Sequence, residues 1–532
     1  MKGRNLLVGL FILCSFLLIS AAFAQEKQVA VYYPEWRIAD NGYSVKDFEK
    51  SGAAKKATVI IYAFCEPSPD STGNIEPKFM NSYSAYQQPY TSQMSIDGAA
   101  DDSTQPLRGQ FNQLLKMKKR HPNIKILISI GGWTGSEFIS DALLTEESRE
   151  RFADEIIDRY IKGNLPVARN AGGMGVAAGI FDGVDFDWEY PLAGGNEGIH
   201  HNDKDNDHLT EFYKLLRDKL NSINPAFLLT AAIPGGETYA VNYNLHADQK
   251  YLNWYNLMTY DFAGGWSART VHHTNLLTSL SAPPGMQWSF DQSIQMIEKK
   301  FGVAPEKIVP GVAFYGRGWK DVDSTNFGLY QAAGGPAPAV GEDGFAYYPD
   351  LIRNFSSPSD CHWDKDAMAP WIYDAAGRVF WSFDDPKSIS LKVHYVEAYG
   401  LGGIMCWEVS GDDSIGTLLS DVVTGAMPYR TFNASGSGKS RPHVEIAVPG
   451  PTDTLRAGTC LIINTDVSDS NGAIQKVEFF VDGNSIGYDA CYPFDWVWFN
   501  LPAGKHEVVA VATDNLGNSS RSRLLTLTVN DK

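Results

Sequence analysis

Eight short apolar runs limit the fold of this chain more than any other feature. They are Val29–Tyr33, Val59–Phe64, Ile124–Ile130, Ile180–Asp187, Phe227–Ile233, Tyr255–Met258, Ile308–Val312 and Gly403–Trp407. Their nearly continuous apolar character suits parallel strands covered on both faces. Helical stripes lie between several of them: Leu107, Phe111, Leu114 and Leu115, then Phe152, Ile156, Ile157 and Tyr160, then Leu209, Phe212, Leu216 and Leu220. Eight alternations over residues 28 to about 425 predict an α/β chain closed as a (β/α)8 TIM barrel. In such a barrel a site forms at the C-terminal strand ends.

The fourth run ends in F-D-G-V-D-F-D-W-E-Y-P, Phe181–Pro191. Side chains alternate in an extended chain, so Asp185, Asp187 and Glu189 share one face, with neighbours ~6.6 Å apart. Asp182 has the opposite parity and is expected to be structural support. Three carboxylates on one face repel each other, which raises the pKa of at least one and keeps it protonated near neutral pH. A protonated acid beside ionised ones is suited to splitting a glycosidic bond. A calcium site or a solvated loop would also gather acids, but the intervening Ile180, Phe181, Val184, Phe186 and Trp188 argue against both.

This stretch also resembles a family signature. D-x-x-D-x-D-x-E is the hallmark of glycoside hydrolase family 18, the chitinases, and D-G-V-D-F-D-W-E matches it in full. Further similarities sit at other strand ends: S-I-G-G-W (Ser129–Trp133), M-T-Y-D (Met258–Asp261), F-Y-G-R-G-W (Phe314–Trp319) and G-I-M-C-W-E (Gly403–Glu408). The resemblance covers roughly Gln28–Gly425. It implies a chitinase acting on chitin and chito-oligosaccharides without cofactor or metal.

The resemblance also implies roles. Glu189 is the general acid and then the base, and Asp187 accepts the N–H of the substrate's 2-acetamido group, whose carbonyl attacks the anomeric carbon. Asp185 holds Asp187, and Tyr260 orients the acetamide. Trp407 floors the reacting sugar, unless it is ordinary barrel packing. Met258, Asp261 and Phe64 are expected to line the substrate, with Trp133 and Trp266 as platforms nearby. Arg317 either contacts sugar or forms an ion pair holding the inserted segment. Ser129 supports the acids, while Gly131 and Gly132 give the backbone room. Two other readings share the signature: a chitin-binding lectin, which typically lacks the terminal acid, and an endo-β-N-acetylglucosaminidase acting on glycoprotein glycans.

Phe64 to about Leu107 is polar and is expected to form rim loops. Residues 313 to about 392 are too long for a plain connection and predict a small α+β insertion between strands seven and eight, forming a cleft wall. Composition changes near residue 425, giving a catalytic barrel at 25–431, a linker at 432–442 and a C-terminal all-β Ig-like sandwich at 443–532. V-E-F-F-V-D-G and V-A-V-A-T-D-N-L-G resemble bacterial Ig-like modules of secreted glycosidases. In F-D-W-V-W-F, Trp496 and Trp498 share one face and Val497 and Phe499 the other. An exposed Trp pair would make a chitin-binding strip; a buried one makes the module a spacer.

Residues 1–24 read as a signal peptide: Lys2 and Arg4, the apolar run Leu6–Ile19, and Ala22-Phe23-Ala24 before Gln25. The mature chain is therefore expected to be secreted. Its net charge of −17 and pI near 5.1 disfavour nucleic acid and anionic membranes as partners, and a monomer is expected. Aromatic residues make up 12 % of the chain, which suits sugar faces. Five cysteines remain outside the leader, too few and too scattered for a disulfide scaffold. Cys460 and Cys491 fall within the C-terminal module, as a pair or as two thiols. The doublets His200-His201 and His272-His273 are read as surface.

Overall fold

A computed structural model describes residues 27–355, 360–424, 441–450, 454–470, 472–490 and 492–531. The leader, most of the proposed linker and Cys491 lie outside these residues, and the Cys460–Cys491 pairing with them.

Eight parallel strands form the barrel: β1 Gln28–Pro34, β2 Val59–Pro69, β3 Lys125–Gly131, β4 Gly183–Asp187, β5 Leu228–Pro234, β6 Tyr255–Met258, β7 Ile308–Ala313 and β8 Gly403–Trp407. Each pairs with its sequence neighbour except that β1 pairs with both β2 and β8, which closes the ring. The outward strand positions are buried under the helices, including α1 Gly109–Arg120, α2 Glu146–Ile156 and α3 Asp205–Ile223. Phe111 and Leu114 of α1, Phe152 and Ile156 of α2, and Leu209, Phe212, Leu216 and Leu220 of α3 are fully buried there. Each stripe repeats every three to four residues, so it faces one way and covers the sheet.

Two local readings change. β4 begins at Gly183, not at Ile180, because the Gly179 and Ile180 carbonyls accept from Lys118 Nζ (3.0 Å each) and are lost to the ladder. The segment after Phe64 is not all loop: β2 runs on to Pro69 and turns back antiparallel through Ile75–Phe79. Asp70 Oδ1 closes that turn by accepting from the Thr72 and Asn74 amides.

The insertion carries a five-stranded sheet running from Tyr315 to Phe383, with the helix Tyr348–Asn354 on it. It leads directly into α4, Pro386–Ala398, which is started by a Pro386 and an Asp385 cap on Ser388 N. The C-terminal module is a sandwich. One sheet holds His443–Val448, Leu461–Ser468 and Asp495–Trp498; the other is built on Ile474–Val481 and Gly504–Asp514.

The module lies against α4. Lys387 Nζ is ion-paired to Asp489 (2.8 Å) and Asp495 (2.7 Å), and all three side chains are at most 3 % exposed. The same ammonium donates to the Pro493 carbonyl and sits 4.3 Å from the Trp363 ring of the insertion. Trp496 packs between Phe479 of the module (6.2 Å) and His394 of α4 (5.0 Å), and Phe499 meets Tyr395 edge-on at 5.4 Å. Tyr399 contacts Cys460 Sγ at 3.2 Å. Trp496, Val497, Trp498 and Phe499 are therefore all buried, and no Trp strip faces solvent. The alternation argument assumed one free face, and α4 together with the sandwich core removes it.

Candidate active site

The acids at the end of β4 lie where neighbouring strands supply matching polar groups. Ser129 of β3, Asp185 of β4 and Thr230 of β5 occupy one register level. Asp185 is fully buried and accepts four hydrogen bonds: from Tyr32 Oη (2.9 Å), Ser129 Oγ (2.7 Å), Thr230 Oγ1 (2.6 Å) and Asn256 Nδ2 (3.0 Å). Burial pushes its carboxyl up, and these four donors pull against that.

Asp187, one step nearer the strand end, has no such support. Its buried Oδ1 finds no hydrogen-bond partner among the described residues. Burial first, then the charges of Glu189 and Asp185, hold its carboxyl far above the usual range. Glu189 is partly exposed. Its carboxyl is pushed up to about 7, chiefly by burial, with a hydrogen bond from Tyr190 opposing and the Asp261 charge adding. Both Asp187 and Glu189 therefore hold a proton more tightly than a free carboxyl does.

Two glycines make the close approach of β3 feasible. Gly131 has φ +111°, and a Cβ there would lie 2.1 Å from the Asp187 carbonyl; Gly132 donates its N–H to that carbonyl at 2.7 Å. A Cβ on Gly132 would strike the Phe64 ring at 2.6 Å. Ser136 Oγ accepts from the Glu189 amide (3.0 Å), fixing the backbone that carries the acid.

An aromatic floor flanks the acids. Trp407 packs against Tyr32 (5.2 Å) and nearly parallel to Phe64 (5.9 Å, 22°), and Trp36 stacks on Phe64 (6.0 Å, 20°). Tyr260 is buried, with its hydroxyl 3.7 Å from Met405 Sδ, and Met258 is half-buried beside it. On the insertion side, Arg317 grips Asp261 through both carboxylate oxygens (2.8 and 2.7 Å) and reaches Glu342 at 3.2 Å. Tyr315 Oη adds a bond to Asp261 at 2.8 Å. Burial would raise the Asp261 carboxyl, but the Arg317 guanidinium and then His273 hold it well below the usual carboxylate range. Trp133 (50 % exposed) and Trp266 (64 % exposed) stand open to solvent, and Trp266 lies 5.1 Å from the Arg317 guanidinium. Asp182 faces outward at the barrel's other end, paired with Lys118 at 2.7 Å.

Among the described residues no group of three His, Cys, Asp or Glu is placed to hold a metal ion. The geometry is an acid row flanked by an aromatic floor, with the Glu189 carboxyl pushed up to about 7 and a buried Asp187 oxygen lacking a donor. The family model for glycosyl hydrolases family 18 matches residues 28–412. The chain belongs to that family.

As a family 18 member it is a glycoside hydrolase, and a bacterial Ig domain model matches residues 442–510. Chitinase A1 of Niallia circulans is 31 % identical over 502 residues, covering 85 % of this chain and 69 % of the relative. Chitinase C of Streptomyces lividans is 34 % identical over 401 residues, covering 72 % of this chain and 57 % of the relative. The catalytic domain of psychrophilic chitinase B from Arthrobacter TAD20 superposes with a TM-score of 0.70 at 30 % identity, covering 76 % of this chain and 95 % of that one.

The sequence reading missed several residues. Tyr32, Thr230 and Asn256 on Asp185 and Trp36 on the floor carry no motif of their own, and Tyr315 on Asp261 sits inside F-Y-G-R-G-W without being singled out. The available signal was position: each lies in or just beyond a strand. The His272-His273 doublet was read as surface and is not, since both rings are at most 4 % exposed. His272 meets Asp364 of the insertion at 3.3 Å, and His273 lies 3.6 Å from Asp261. Polar neighbours in the sequence concealed a loop that the insertion covers.

Proposed function

We propose that the chain is an exported chitinase that hydrolyses β-1,4-linked N-acetylglucosamine polymers with retention of configuration, using the substrate's acetamide as nucleophile. The observation that carries this reading is the contrast within the acid row. Asp185 is saturated with donors, Asp187 has a buried, unpartnered acceptor oxygen, and Glu189 holds a proton near neutral pH.

In the first step the acetamido carbonyl oxygen bonds to the anomeric carbon as the bond to the leaving oxygen breaks. That oxygen takes the proton from Glu189. Asp187 accepts the acetamide N–H, which fills its open acceptor and stabilises the oxazolinium ion as it forms. Tyr260 orients the acetamide for attack. In the second step Glu189, now a carboxylate, removes a proton from water, which opens the oxazolinium ring at the anomeric carbon and restores the acetamide. Two inversions give retention. Trp407 and its aromatic neighbours favour an apolar sugar face above them. Asp261 is engaged by Arg317 and Tyr315 and offers its remaining lone pairs to the substrate, while Arg317 serves as the ion pair joining the insertion to the barrel.

The test is proton NMR of the products from chitotetraose in the first minutes. Fresh β-anomer supports the reading, and α-anomer overturns it. Rapid cleavage of cello-oligosaccharides, which carry no acetamide, would overturn the mechanism. Release of intact glycans from a glycoprotein without cleavage of chitotetraose would move the assignment to an endo-β-N-acetylglucosaminidase.

A further inference from the structure

The insertion bears an aromatic stack outside the site described above. Phe327 lies on His362 (4.3 Å between ring centres, 27°), and His362 lies on Trp371 (5.0 Å, 28°). Trp371 is 7 % exposed and closes the inner end of the stack, whereas Phe327 is 56 % exposed and leaves its outer face to water. A phenylalanine placed only to fill the core would be buried.

The backbone goes out of its way to present this ring. Asn326 (φ 50°, ψ 38°) and Phe327 (φ 48°, ψ 43°) are consecutive non-glycine residues in the left-handed region. That conformation is disfavoured for a side chain as bulky as phenylalanine and persists only where the surroundings fix it. Here Trp371 Nε1 donates to the Phe327 carbonyl (3.0 Å), Leu329 N bonds to Asn326 O (3.0 Å), and Thr270 Oγ1 bonds to the Gly328 carbonyl.

The same loop is zipped to the segment that carries Trp266. Ala333 N donates to Ala268 O (3.1 Å), Arg269 bridges Ala332, and Tyr330 N donates to Thr270 O (3.1 Å). Phe327 is thus attached, through the neighbouring Gly328 carbonyl and Thr270, to the segment that follows Trp266. We propose that Phe327 is a further sugar-stacking platform, continuing the cleft along the insertion beyond Trp266, and that its ligand is the distal part of a long β-1,4-linked N-acetylglucosamine chain. The inference rests on the proposed substrate. A linear chain of flat rings with apolar faces fits a row of exposed aromatic faces, and preformed stacking spares the ring its ordering cost.

The experiment compares the full chain with Phe327→Ala and Phe327→Trp. Binding to insoluble chitin and to chitohexaose is measured in a Glu189→Gln background, and hydrolysis of chitotriose is measured in the active background. Phe327→Ala should weaken binding to chitin and hexamer about three- to tenfold, leave chitotriose hydrolysis unchanged, and keep its melting temperature close to that of the parent. Phe327→Trp should restore the binding. Unchanged binding of Phe327→Ala to the long ligands overturns the proposal, as does equal loss on short and long ones. A parent protein that binds chitin without cleaving chitotriose would refute the proposed function and leave the binding comparison to judge Phe327. A parent that binds no chitin overturns both.

Discussion

At the scale of single residues, Asp182 and Asp187 are the same residue type five positions apart, yet they differ in nearly every respect. Asp182 is half-buried and satisfied by Lys118 and the Ile126 amide; Asp187 is buried with an unpartnered oxygen. Asp187→Asn should therefore lower kcat by about 100-fold or more, while Asp182→Asn should leave kcat near the parent value and lower only the melting temperature. Glu189→Gln keeps the shape and removes the proton, so hydrolysis should fall by about 100- to 10,000-fold while chito-oligosaccharide binding persists. The pH dependence follows from the raised carboxyl. Glu189 must be protonated for the first step, so kcat should fall as pH rises through about 7, and a pH–rate profile on chitotetraose checks it. Strand parity made the acid row legible in the sequence, because a period of two needs no knowledge of neighbours. The donors around Asp185 come from four other strands, and only closing the barrel brings Tyr32, Ser129, Thr230 and Asn256 together.

At the scale of elements, the eight runs were readable because each is buried on both sides and so is largely apolar, with polar residues such as Ser129, Asp185, Thr230 and Asn256 at inward positions. The hairpin after β2 was not, because the polar composition after Phe64 suits loops, while Pro67, Pro69 and Pro77 all fit in its edge ladder. That region has its own anchor. Glu35, just past β1, is fully buried and accepts from Asn81 N (2.9 Å) and Ser84 Oγ (3.0 Å), while burial pushes its carboxyl up to about 8. In the unfolded chain it would titrate near ~4.3. Between those values the folded state holds a proton that the unfolded state releases, so this group's contribution to stability falls as pH rises from about 4 to 8. Glu35→Gln, which keeps the acceptor without the acid, should raise the melting temperature at pH 8 and change it little at pH 4. Calorimetry at the two pH values checks this.

At the scale of the whole molecule, composition divides the chain into barrel and Ig-like module, but composition cannot tell whether two units touch. Here one buried ammonium faces two carboxylates across the junction. Lys387→Met would leave Asp489 and Asp495 buried without their cation, a loss of about 3–5 kcal/mol, read as a drop in melting temperature. Adding Asp489→Asn and Asp495→Asn should recover much of it. Removing residues 441–532 would uncover Lys387, His394 and Tyr395 on α4, so the shortened chain should melt earlier and aggregate more readily. The docked module has a consequence for anyone who would treat such enzymes as interchangeable parts on a string. Exchanging this module for an unrelated binding module would strip a helix of its cover, and a graft that ignores α4 should fail in the hydrolase half, not in the half that was exchanged. A working chimera would carry Asp489, Asp495, Trp496 and Phe499 across with the new surface.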